Sequence, residues 1–138
     1  MTEYDINIQS DPNNLITVEE FVNYVGTEAF LSEEKLSNLL LCVSEAVTNA
    51  IIHANKLDPE KVVNIRAELN DEYLTFIIKD EGIGFNPDAV PDPTEPENLM
   101  KDHGRGLFLM RTYLHELRYN LTPTGTETIL VMRRNAKE

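Results

Sequence analysis

The sequence predicts an α+β fold, a two-layer α/β sandwich whose mainly antiparallel, mixed sheet is covered on one face by helices. Three observations predict it. Apolar residues alternate with period two in several short segments, and they recur at helical spacing in the segments between them. Two pairs of strand-like runs are joined by short polar turns, as hairpins are.

The elements follow in order. Tyr4–Gln9 sets Tyr4, Ile6 and Ile8 against polar neighbours, which predicts a strand, and Asp11-Pro12-Asn13-Asn14 breaks it. Leu15, Val18, Val22 and Val25, with Phe21 beside them, predict a helix closing near Gly26. Ser32-Glu33-Glu34-Lys35 is a capped start for a second helix that runs to about Ala54, before Asp58-Pro59. Its residues Leu36, Leu40, Val43, Val47, Ala50 and Ala54 form one apolar stripe. Strands Val62–Leu69 and Tyr73–Asp80 flank the polar turn Asn70-Asp71-Glu72. After a long loop, a helix starts at about Gly104, with Leu107, Met110, Leu114 and Leu117 inward. Strands Arg118–Leu121 and Thr126–Arg133, separated by Pro123-Thr124-Gly125, complete the chain.

The 138 residues fit one domain, 1–138, large enough to fold without a disulfide or metal staple. The apolar share of 41% and charged share of 26% are those of an ordinary soluble protein. Twelve basic against 24 acidic residues leave a net charge of −12. Nucleic acids and anionic membranes demand a basic patch, so both are poor partners for this composition. Basic protein partners suit it better. Cys42 is the single cysteine and sits in an apolar run, which predicts core packing and a reducing, cytoplasmic compartment. Neither a signal peptide nor an apolar membrane span is expected.

Glycine and proline are unevenly spread. Four of the seven prolines fall within Asn86–His103, and Gly82, Gly84, Gly104 and Gly106 bound that stretch. A loop of about 18 residues inside a small domain predicts a functional lid.

Three groups of residues carry candidate chemistry. Glu45, Asn49 and His53 are spaced four apart and form one row on the second helix, facing away from the apolar stripe. Such a row is either a solvated polar face or the carboxylate and amide of a magnesium site with a general base. Asp80 continues the alternation Leu74, Phe76, Ile78, which would bury its carboxylate. It either turns out into solvent at the strand end or awaits a donor such as the exocyclic amine of adenine. Gly82 and Gly84 follow, and paired glycines allow a flat ligand close approach to the backbone. His103-Gly104-Arg105-Gly106-Leu107 opens a helix, where backbone N–H groups can receive phosphate; Arg105 either clamps a phosphate or is solvated. His53, His103 and His115 are scattered without a thiolate nearby, which is no zinc pattern.

Glu45-x3-Asn49-x3-His53, Asp80-x-Gly82-x-Gly84, Gly104-x-Gly106 and Gly125-Thr126 occur in this order over nearly the whole chain. The set resembles the Bergerat-fold (GHKL, histidine kinase-like) ATPases. Val43-Ser44-Glu45-Ala46-Val47-Thr48-Asn49-Ala50-Ile51-Ile52-His53 is similar to the signature helix of their anti-sigma factor serine/threonine kinases. The resemblance implies Glu45 as general base and Asn49 as the Mg²⁺ ligand. It implies Asp80 as the adenine-binding aspartate, with Gly82 and Gly84 shaping the adenine pocket. Gly104, Arg105 and Gly106 would hold lid and phosphates, and Thr126 would lie near the adenine. Within the lid, Lys101 is the one candidate phosphate contact. His53 occupies a motif position but reads as a satisfied helix-face histidine.

The implied function is transfer of the γ-phosphoryl group of Mg·ATP to a serine of an antagonist protein, combined with sequestration of a sigma factor in a partner-switching system. A homodimer is also implied. Three other readings remain at this point: a non-catalytic ATP/ADP-dependent binding switch, a stand-alone ATPase domain of a histidine kinase system, and a degenerate ATPase-like scaffold that binds no nucleotide.

Overall fold

The computed structural model describes residues 1–82 and 106–134. The described strands are β1 (Thr2–Gln9), β2 (Val62–Leu69), β3 (Tyr73–Lys79), β4 (Glu116–Thr122) and β5 (Gly125–Arg133). The helices are α1 (Leu15–Glu28), α2 (Glu33–Asn49) and α3 (106–113). A short 3₁₀ turn, Pro12–Asn14, leads into α1, and a π turn, Ala50–Ala54, extends α2.

The five strands lie in the order β1-β2-β3-β5-β4, and every pairing is antiparallel. The expected mixed sheet is therefore purely antiparallel among the described strands. The reason is connectivity: two hairpins join β2 to β3 and β4 to β5, and β5 inserts beside β3. The register places Tyr4, Ala67, Phe76, Leu130 and Leu117 in one row across all five strands. This face, with Val63, Ile65, Leu74, Ile78 and Met132, is buried against the helices. Apolar burial of this kind is the main stabilising term of the fold.

Helix α1 contributes Val18, Val22 and Val25 to the core. It does not stop at Gly26. That glycine is buried where a side chain would run into Leu36 of α2, so it serves helix contact. The chain leaves the helix through Phe30, which takes the left-handed conformation (φ 58°) usual for a helix-ending glycine. Arg134 holds this end, donating from Nη2 to the carbonyl of Ala29 at 3.0 Å and from Nη1 to Asn70 in the β2–β3 turn at 2.7 Å.

Helix α2 begins as expected, with Ser32 Oγ accepting from the Lys35 N–H at 3.1 Å. Its deepest residues are Leu39, Cys42, Val43, Ala46 and Val47, while Leu36 and Leu40 are only partly covered. The buried stripe thus keeps Val43 and Val47 but is turned toward Leu39, Cys42 and Ala46, because both the sheet and α1 cover it. By length and composition the stretch Glu33–Ala54 could cross a membrane; here its apolar side belongs to the core. Leu117 belongs to β4, not to the third helix. The His115 N–H already donates to the Val131 carbonyl at 2.8 Å, so the sheet starts earlier than the sequence suggests.

Candidate functional site

Glu45 and Asn49 lie one turn apart on α2, and both are half-buried. A fully solvated face would leave them exposed. Glu45 packs against the start of α3: a Cβ added to Gly106 would fall on its carboxylate. The two sequence motifs, one on each helix, are therefore in contact. Asn49 is the last residue of α2, and the backbone then widens into the π turn, a feature that recurs at functional sites. His53, in that turn, is exposed.

Asp80 follows β3 and is buried, 7% exposed, as the alternation predicts. Its Oδ1 accepts two backbone N–H groups, from Gly82 and Thr126, each at 3.0 Å. The Asp80 N–H donates back to the Thr126 carbonyl, also at 3.0 Å. Among the described residues no donor reaches Oδ2, which leaves one carboxylate oxygen for an incoming N–H. Burial raises the Asp80 pKa, opposed by the hydrogen bonds from Gly82 and Thr126 and by the charges of Lys79 and Lys61.

Two glycines make this arrangement possible. Gly125 has φ +153°, and a Cβ there would strike the backbone carbonyl of Asp80. Gly82 comes so close to the π turn that a Cβ would lie 3.0 Å from the Ala54 carbonyl oxygen.

Sequence reasoning missed Asn55 and Ser10. Both are buried, at 0% and 1% exposure. Asn55 Oδ1 accepts from the Glu81 N–H at 2.8 Å, inside the Asp80–Gly82 turn, while its Nδ2 donates to Ser10 Oγ at 2.8 Å. Nothing in the pattern distinguishes this asparagine from an ordinary helix end; only its burial does. Cys42 is fully buried and its thiol is pushed up to about 12 by that burial, in keeping with a packing role. Gly84, Gly104, Arg105, the loop Asn86–His103 and Lys101 lie outside the described residues. No group of three or more metal-ligating side chains of the His, Cys, Asp or Glu type occurs among the described residues.

The donor set fits an adenine nucleotide. An aspartate oxygen that meets no donor among the described residues can accept the exocyclic amine, and the half-buried carboxylate and amide on α2 have oxygen atoms suited to a hard cation.

A model of the histidine kinase-like ATPase domain matches residues 8–132, and the chain belongs to that family, whose ATPase fold carries ATP binding with it. The chain is similar to the anti-sigma F factor of Shouchella clausii, 36% identical over 119 residues that make up 80% of each chain. It is 33% identical over 121 residues to the anti-sigma F factor of Clostridium perfringens, covering 80% of this chain and 85% of the other. Among solved structures, the RsbU and RsbW domains of Rv1364c from Mycobacterium tuberculosis share the fold. The TM-score is 0.66 at 17% identity, over 96% of this chain and 32% of that one.

Proposed function

We propose that this protein is an ATP-dependent serine kinase that also acts as an anti-sigma factor in a partner-switching system. It would phosphorylate a serine of an antagonist protein and sequester a sigma factor. The observation that carries the reading is Glu45: its carboxylate is half-buried one turn from Asn49 and packed against Gly106. A carboxylate beside a phosphate site repels the ligand, so a mere nucleotide binder gains nothing from it. A kinase does, because the attacking hydroxyl needs a proton acceptor. The similarity to anti-sigma F factors supports the same output.

In this reading Asp80 Oδ2 accepts the adenine amine, and Gly82 and Thr126 hold Asp80 in place. Gly84 would complete the adenine pocket, and Gly104 and Arg105 would face the phosphates with Gly106. Asn49 would hold Mg²⁺, which when bound offsets charge on the phosphates. Glu45 takes the proton of the serine hydroxyl as its oxygen bonds to the γ-phosphorus and the bond to the departing ADP breaks. The choice between sigma factor and antagonist would follow nucleotide state, which requires different affinities in the two states. A cytoplasmic location and a homodimer belong to the proposal.

Two variants test it. Glu45→Gln keeps shape and helix propensity but removes the acceptor, so ATP should still bind while phosphorylation falls roughly 10²–10⁴-fold. Asn49→Ala should weaken Mg·ATP binding and transfer together. Single-turnover transfer, measured beside equilibrium nucleotide binding, reads both. Transfer by Glu45→Gln at the parental rate would remove Glu45 from the chemistry.

A further inference from the structure

The polar network around Asn55 has no part in the scheme above, yet it reaches the turn that carries Asp80. Asn55 caps the π turn that continues α2, and its own N–H donates to the Ala50 carbonyl at 2.8 Å. Its side chain meets three other segments. Oδ1 accepts from the Glu81 N–H at 2.8 Å, and Nδ2 donates to Ser10 Oγ at 2.8 Å and to the Val62 carbonyl at 3.3 Å. Ser10 Oγ passes the chain on, donating to the Lys61 carbonyl at 2.7 Å. The end of α2, the end of β1, the start of β2 and the end of β3 thus share one buried amide. Directly beyond it, Lys56 and Leu57 both adopt positive φ (55° and 61°), which side chains of their size disfavour. Such a path persists only where the surroundings hold it.

We infer that Asn55 is a positioning residue for adenine recognition: its amide locks the Asp80–Glu81–Gly82 turn to the helix that carries Glu45 and Asn49. This rests on the reading of Asp80 as the adenine acceptor. Glu81 itself is exposed, so without Asn55 its N–H would turn to water and the turn would lose its anchor. The close approach of Gly82 to Ala54 gives the turn a second contact with the same π turn, a van der Waals contact that limits distance, while the hydrogen bond from Glu81 to Asn55 sets direction. An acceptor for one base edge has to be aimed, because hydrogen bonds weaken steeply with misalignment.

The readout is the ratio of affinities for ATP and inosine triphosphate, measured by calorimetry. Inosine carries an oxygen where adenine carries the amine, so the ratio isolates the Asp80 contact from phosphate binding. The parental protein should prefer ATP by about tenfold or more, and Asp80→Asn should abolish the preference. Asn55→Leu keeps the number and branching of side-chain heavy atoms but neither donor nor acceptor, and should bring the ratio down to within about threefold of one. Asn55→Asp keeps the acceptor for Glu81 and should retain most of the ratio while losing stability. Ser10→Ala, which removes one anchor and little volume, should lower the ratio part of the way even if Asn55→Leu does not fold. The Glu81 amide of the nucleotide-free protein should be protected from hydrogen exchange in the parental chain and unprotected in Asn55→Leu. A purely structural role predicts lower melting temperatures with an unchanged ratio in every folded variant, Ser10→Ala included; that result overturns the inference. If Asp80→Asn keeps the parental ratio, the Asp80 reading fails and the inference falls with it.

Discussion

Replacing Asp80 by asparagine exchanges one oxygen for an NH₂ group at a site where the proposed function gives the two carboxylate oxygens different tasks. Oδ1 holds the turn through the N–H groups of Gly82 and Thr126, each at 3.0 Å. An asparagine oxygen can accept both, so the fold should survive. Its NH₂ then occupies the place of Oδ2 and meets the adenine amine donor to donor. Loss of a hydrogen bond to a charged group in a desolvated pocket costs about 1.5–3 kcal/mol. That corresponds to roughly tenfold to a hundredfold in ATP affinity. The pH dependence follows from the raised Asp80 pKa, whose first cause is burial. As pH falls through that raised value, above the ordinary 3.8, the acceptor is protonated and ATP affinity should drop. Stability moves the other way. A carboxyl that binds its proton more tightly in the folded state destabilises the fold as pH rises from 3.8 through the raised value. Asp80→Asn should flatten both slopes and leave neutral-pH stability equal or slightly higher. Calorimetric titration of ATP across the acidic range, with denaturant unfolding alongside, measures the two effects. Unchanged ATP affinity in Asp80→Asn, or parallel pH profiles for variant and parent, would refute the assignment.

Gly106→Ala places a methyl group on the Glu45 carboxylate, which can swing aside; transfer should fall at least about tenfold while unfolding free energy changes by less than about 1 kcal/mol. Gly125→Ala is the opposite case, because the obstacle is the backbone carbonyl of Asp80 and φ is +153°. It should cost about 2 kcal/mol or more in denaturant unfolding and weaken ATP binding as well. Cys42, fully buried with its pKa pushed up to about 12, should not react with an aromatic disulfide reagent at about pH 8 until the protein unfolds.

Much of the scaffold is a local matter, and local patterns reveal it. The strand Val62–Leu69 and the Ser32 cap of α2 stand where the sequence places them, since alternation and capping chemistry act within a few residues. Asp80 could be expected on the buried face for the same reason, and it is there. What the sequence could not settle is which residues from distant segments meet. Gly26 reads as a helix stop until Leu36 is found against it, and the Leu117 position reads as helix until β5 is found beside it. Glu45 and Gly106 are 61 positions apart, and only packing of α3 on α2 brings the carboxylate to the glycine. Asn55 is the clearest instance: as a residue type it signals nothing, and its part is set by the four segments its amide joins. Periodicity records which way a side chain faces along its own element. The partner it meets is decided by burial and hydrogen-bond satisfaction summed over the whole fold.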